Sequence, residues 1–336
     1  MKVIELQSFG IEGLHSSEHP IPEPGPGQVL IKMKAASLNY RDLLMVLGKY
    51  SRKLPLPIVP ISDACGEIMA LGEGVSRVRK GDRVAPLFFP DWISGDPTPE
   101  RTQTALGAAH GGCLQEYMVL HEKSVSKVPR HLSDEEVATL PCAALTAWRS
   151  LFVEGKIKAG DSVLIQGTGG VSIFGLQFAK MVKAEVILTS SSDEKLEKGR
   201  SLGADHLINY KVHEKWYKTV QEITGGRGVD HVIEVGGAGT LFQSLMSLRP
   251  GGHVSIIGVL AEASMDTPIT AMISKQARVV GISVGNRDHF EEMCRAIEID
   301  QLKPVVSHVL PFDQAIEALK LMEQGGHFGK ICLKYS

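Results

Sequence analysis

Apolar residues in the second half of the chain come in short blocks separated by stretches with helical spacing. SVLIQ (162–166), EVILTS (185–190), HLINY (206–210), DHVIEVG (230–236), HVSIIGV (253–259) and ARVVGISVG (277–285) read as strands. Helical patterns follow the first through Lys183 and recur near 193–202, 213–223 and 239–248. Several blocks are apolar at consecutive positions, so both faces of those strands must be covered, as in a parallel sheet flanked by helices. The alternation predicts an α/β fold with a doubly wound, parallel, six-stranded sheet.

The first 125 or so residues carry a different pattern. QVLIKMKAASL (28–38) and SDACGEIMALGEGV (62–75) read as strands, and PIPEPGPGQ (20–28) is turn chemistry leading into the first of them. Residues 91–112 show little periodicity and are expected to form an exposed loop. Ser133 and Glu136 have the spacing of a capping box ahead of an apolar helical run. The end of the chain, VVSHVLPFDQAIEALKLMEQGGHFGKICLKYS, places one amphipathic helix between two strand-like segments. The expected organisation is a mainly β domain over 1–124, the α/β domain over 125–285, and a return to the first domain over 286–336.

Composition narrows the setting. Hydrophobic residues at 43% and charged residues at 22% suit a globular chain, and a net charge of −2 offers no broad attraction for nucleic acid. No run is long or apolar enough for a membrane span, and MKVIELQSFG lacks the core of a signal peptide, so a cytoplasmic setting is expected. The five cysteines are scattered, without a CxxC pair, and read as free thiols.

The chemistry is most legible at VLIQGTGGVSIFGLQFAK, where strand, glycine turn and helix follow in immediate succession. Gly167 and Gly169 occupy the first two positions of a GxGxxG fingerprint, with Ser172 at the third. Such a turn lets backbone N–H groups at a helix start meet a pyrophosphate. A carboxylate ending the second strand would favour NAD, but EVILTS ends in Thr189 and Ser190, followed by Ser191 and Ser192. These small donors leave space for a 2′-phosphate, and Lys195 adds a positive charge, so NADP(H) is expected. Asp193 and Glu194 argue the other way if they face the ribose. Ser191 and Glu194 could also simply cap the next helix.

NYRD (39–42), DACGEIMALGEGVSRVRKGDRV (63–84), GTGGVS (167–172), RPGGHVSIIG (249–258) and the terminal HFGKICL together resemble the medium-chain dehydrogenase/reductase superfamily, over essentially the whole chain. The resemblance implies a Rossmann dinucleotide-binding domain joined to a mainly β, GroES-like domain. In the zinc-dependent members, the positions matching Asn39, Ser62 and Cys142 ligate a catalytic metal; only the cysteine is a competent ligand here. No zinc is therefore expected, and the pattern looks like the quinone oxidoreductase branch. That branch implies hydride transfer from NADPH to a quinone or an α,β-unsaturated carbonyl.

By the same resemblance, Asn39, Tyr40 and Tyr50 would line the pocket beside the nicotinamide. Asn39 could donate to the acceptor oxygen or fix the ribose, and Tyr50 is the preferred phenol donor. Thr146 would touch the nicotinamide, and Thr168, Gly169, Gly170 and Val171 the pyrophosphate. Ser190, Lys195 and Tyr210 would hold the 2′-phosphate. Gly236 and Ile257 would meet ribose and nicotinamide, with Ser283, Phe328 and Lys330 as further contacts. Asp63 is expected to play a structural hydrogen-bonding role. The apolar strand at 277–285 would form a sheet edge that a two-fold mate could cover, giving a homodimer. Two other readings remain open: an alcohol or aldehyde dehydrogenase, and a dinucleotide-binding protein without catalysis.

Overall fold

The computed structural model describes residues 1–50, 54–258 and 269–336. The chain divides into two compact units, Met1–Leu145 with Val284–Ser336, and Thr146–Ser283.

The Thr146–Ser283 unit holds a six-stranded parallel sheet in the spatial order His206–Asn209, Glu185–Ser190, Ser162–Gln166, Val229–Glu234, Leu248–Ile256, Arg278–Gly281. This is the doubly wound order in which the sheet reverses direction between its first and fourth strands. Ser162–Gln166 and Val229–Glu234, the two strands at that reversal, are buried at every position, which explains the run VLI in the first; the second also buries the polar Asp230, His231 and Glu234. The fifth strand starts earlier than HVSIIGV suggests, at Leu248, and includes Pro250, Gly251 and Gly252. A register shift between Val229 and His231 accommodates that stretch. Val259, the expected end of this strand, lies outside the described residues.

Helix Gly170–Met181 packs over the sheet, and Gly175 sets how closely. A Cβ at Gly175 would sit 2.4 Å from Ile233 Cδ1. Helix–strand proximity, usually the task of the third fingerprint glycine, is therefore met one turn later.

The other unit is built on a seven-stranded sheet. Val306–Pro311, Lys330–Lys334, Gln28–Ser37, Asp63–Leu71, Arg83–Pro86 and Val125–Lys127 follow one another, and Tyr117–His121 pairs with Gln28–Ser37. The C-terminal strand thus runs antiparallel to residues 35–37, with Lys330 at its start in register with Val306 of the edge strand. The core includes Ile31, Met33, Leu114 and Leu333. The capping box forms as expected: Ser133 Oγ accepts from Glu136 N at 3.2 Å and Glu136 Oε2 accepts from Ser133 N at 2.8 Å. The 91–112 segment departs from expectation. Trp92 and Leu106 are fully buried, Trp92 Nε1 donates to Gly95 O at 2.9 Å, and Pro99–Thr102 is a short helix. Polar spacing concealed two apolar anchors there.

Candidate functional site

In the six-stranded unit the glycine turn has the form an anion site needs. Gly167 has φ +70°, a conformation open to glycine and strained for other residues. Its N–H donates to Thr189 O at 2.8 Å, tying the turn to the next strand. Helix Gly170–Met181 begins behind Gly169, with no side chain capping its first turn. A Cβ on Gly169 would meet nothing within 4 Å, so the backbone there is open on that side. Ser172 Oγ donates to Gln166 O at 2.7 Å. The serine at the third fingerprint position therefore fastens the turn to its strand. This geometry fits a dinucleotide pyrophosphate.

At the sheet's reversal, Glu234 is fully buried yet surrounded by donors. Gln166 Nε2 (2.7 Å) and Ser244 Oγ donate to one carboxylate oxygen. Gly236 N (2.8 Å), Gly237 N (3.0 Å) and Thr240 Oγ1 (2.5 Å) donate to the other. Glu234 thus holds the turn after its strand, including Gly236, in one conformation. Ile257 N donates to Glu234 O at 2.9 Å, which brings Ile257 to the same end of the sheet. Sequence reasoning missed Glu234 and Gln166. Their signal was a polar residue directly after the apolar runs Val163–Ile165 and Val232–Ile233.

Ser190 and Tyr210 meet at the ends of neighbouring strands, where Tyr210 N donates to Ser190 O at 3.1 Å. The next helix is capped by Ser192, not Ser191: Ser192 Oγ accepts from Lys195 N at 3.3 Å. Among consecutive serines the pattern alone could not choose. Lys195 sits in this first turn, its pKa lowered by partial burial and then by Lys198. The two nearby acids are committed elsewhere. Asp193 accepts from Asn209 Nδ2 at 2.7 Å, and Glu194 pairs with Lys198 at 2.7 Å. Thr146 is buried at the start of this unit and Ser283 is exposed at its end; neither is brought to the glycine turn by any contact described.

In the seven-stranded unit the three positions of the resemblance's metal site converge on Asp63. Ser62 Oγ donates to Asp63 Oδ1 at 2.7 Å and Cys142 N to Asp63 Oδ2 at 2.9 Å. The Asn39 side chain faces the same carboxyl and favours its charged form. Burial drives the Asp63 pKa up, and the Lys330 ammonium is the largest opposing influence. Lys330, 3% exposed, donates to Leu38 O at 2.5 Å and to Asn39 Oδ1 at 2.6 Å. Asn39 is 8% exposed, and its Nδ2 makes no hydrogen bond among the described residues. Asp42 accepts from Asn39 N at 2.9 Å; burial raises its pKa to about 6, against the pull of Arg41.

Tyr40 and Tyr50 are exposed, at 44% and 60%. The Arg41 guanidinium lies 4.7 Å from the Phe88 ring and 5.8 Å from that of Tyr50, contacting both aromatic groups. Phe328 is buried two residues before Lys330. Asn39 and Lys330 are therefore joined directly, and the two tyrosines stand apart from their hydrogen bonds. A catalytic zinc requires three protein ligands and an open position. The matching positions offer a carboxamide bound to an ammonium, a hydroxyl donating to Asp63, and a thiol whose pKa is pushed up by burial and then by the Asp63 charge. That donor set does not fit zinc, and no other group of three His, Cys, Asp or Glu able to hold a metal occurs among the described residues.

Residues 25–130 match the alcohol dehydrogenase GroES-like domain and residues 170–298 the zinc-binding dehydrogenase family. A zinc-type alcohol dehydrogenase-like protein of Schizosaccharomyces pombe is 45% identical, over 99% of this chain and 98% of its own length. The chain belongs to the medium-chain dehydrogenase/reductase superfamily. Like other members it is an oxidoreductase with a Rossmann sheet and a GroES-like domain. A solved NAD-dependent alcohol dehydrogenase is 34% identical over 100% of both chains, with a TM-score of 0.92. The quinone oxidoreductase of Homo sapiens is 29% identical over 94% of this chain and 92% of its own.

Proposed function

We propose that this oxidoreductase transfers hydride from NADPH to a quinone or an α,β-unsaturated carbonyl without zinc. The observation that carries the reading is the Asp63 cluster. Where a zinc enzyme needs three ligands, this chain holds a hydrogen-bond network in which Asn39 Nδ2 is buried and makes no hydrogen bond among the described residues. Without a Lewis acid a simple alcohol is poorly activated, whereas a quinone or enal delocalises the negative charge it gains and needs only a donor at its oxygen. Asn39 Nδ2 supplies that donor, with the Tyr50 phenol as a second and Tyr40 beside it.

Bound NADPH supplies the hydride; one proton from water completes reduction of the acceptor. The N–H groups of Thr168, Gly169, Gly170 and Val171 hold the pyrophosphate at the turn opened by Gly167. Ser190, Lys195 and Tyr210 receive the 2′-phosphate, supported by the engagement of Asp193 and Glu194 with Asn209 and Lys198. Thr146, Gly236, Ile257, Ser283 and Phe328 complete the ribose and nicotinamide contacts. Arg278–Gly281 ends the six-stranded sheet, and we infer a homodimer formed across it; a monomer by light scattering at micromolar concentration would remove that inference.

The deciding experiment is oxidation of NADPH and NADH by metal-analysed protein against quinones, enals and aldehydes. Consumption of NADPH with quinones or enals, at substoichiometric metal, supports the reading. Turnover confined to alcohols and aldehydes with stoichiometric zinc, or a clear preference for NADH, overturns it.

A further inference from the structure

The Lys330 ammonium is enclosed by a neutral carbonyl, a carboxamide oxygen and the field of a buried carboxylate. An ammonium has three donors and no acceptor. Whichever oxygen or nitrogen of Asn39 meets it must therefore be the oxygen. The carboxamide is planar, so fixing Oδ1 on Lys330 fixes Nδ2 on the opposite side. That Nδ2 lies on the side of Asp63 and is a buried donor that makes no hydrogen bond among the described residues. Leaving such a donor unmatched costs about 1–3 kcal/mol, so it calls for a ligand.

We propose that Lys330 is a positioning residue: its ammonium locks the Asn39 carboxamide in the orientation that presents N–H, and never C=O, to the group being reduced. This rests on the reading of Asn39 as the acceptor's donor. The lock itself depends only on the Lys330–Asn39 contact. With a neutral side chain at position 330 the amide gains a second orientation, which turns an oxygen lone pair toward the developing negative charge. The lysine also places a cationic side chain where the donor set has no metal to offer a charge.

The chain has three asparagines, Asn39, Asn209 and Asn286, so protein labelled with ¹⁵N at asparagine gives three side-chain amide pairs. The Asn39→Ala variant identifies its own pair. In Lys330→Met the Asn39 pair is expected to shift and its protons to exchange at least about 10-fold faster, while the Asn209 and Asn286 pairs stay in place. An Asn39 pair unchanged by Lys330→Met overturns the lock. In turnover, Lys330→Met is expected to lower kcat about 100-fold, the size of a lost oxyanion donor, with the NADPH dissociation constant within about 2-fold. Adding Lys330→Met to Asn39→Ala should then lower kcat no further. A weakened NADPH affinity with kcat preserved would instead make Lys330 a cofactor contact and overturn the proposal. Lys330→Gln, which keeps a donor, serves if the methionine variant does not fold, and its kcat should fall between the other two. If no acceptor is reduced by the unmodified protein, the reaction class fails, and the amide spectra still decide the lock.

Discussion

Glu234 and Asp63, one in each unit, are both fully buried, and they are satisfied in different ways. Glu234 receives five neutral donors and has no cation beside it. Asp63 receives two, from Ser62 and Cys142, and shares its enclosure with Lys330 and with the unmatched N–H group of Asn39. The first arrangement is complete in itself and fixes a turn. The second is left one partner short. A buried polar network that closes on itself rigidifies its surroundings, and one that stops short by a single donor is prepared for something not in the chain.

Removing the saturated acid should break the contrast most severely. Glu234→Leu strands five donors and is expected to cost about 4 kcal/mol, read as a lower denaturation midpoint together with weaker NADPH binding. Asn39→Ala should do the reverse, lowering kcat about 100-fold, or roughly 2.7 kcal/mol, while costing only about 1 kcal/mol of stability. Equal losses of stability in the two variants would show that the distinction is wrong.

Acid should separate the units further. Burial lowers the His253 pKa to about 4, helped by His231, so the unfolded chain binds the proton more tightly. Stability from this group is complete above the unfolded value near 6.5 and falls as pH drops toward 4; by pH 5 about 2 kcal/mol is lost. Asp42 has the opposite sign, because its pKa is raised to about 6 and the folded chain binds the proton more tightly. Between pH 6 and 4 protonation of Asp42 favours folding. Denaturation curves of His253→Leu and the unmodified protein should therefore converge at pH 5 relative to pH 8, and parallel curves would discard the histidine's role. The smallest effect is expected at the cofactor: Lys195→Ala should raise the KM for NADPH about 10-fold, near 1.4 kcal/mol, and leave that for NADH unchanged.

The six strands were readable because a parallel sheet covered on both faces forces runs such as VLI at 163–165, which no exposed element tolerates. The glycine turn was readable because strand, turn and helix lie within twenty residues. The two acid networks were not. Gln166 and Glu234 are 68 positions apart, and Asn39 and Lys330 are 291 apart; pairing across such distances is a property of strand order. Lys330 could be named from resemblance as a cofactor contact, but its bond to Asn39 follows only once the C-terminal strand is seen beside Gln28–Ser37. At 191–192 the sequence reading put the cap on Ser191, and the structure puts it on Ser192.

Asp193 and Glu194 have not been lost from the neighbourhood of the proposed phosphate subsite; they are restrained by Asn209 and Lys198. On the proposed reading, the preference for NADPH rests partly on Asn209 and Lys198, which lie outside the proposed phosphate contacts. Replacing Asn209 by leucine would release the Asp193 carboxylate without altering any residue proposed to bind the coenzyme.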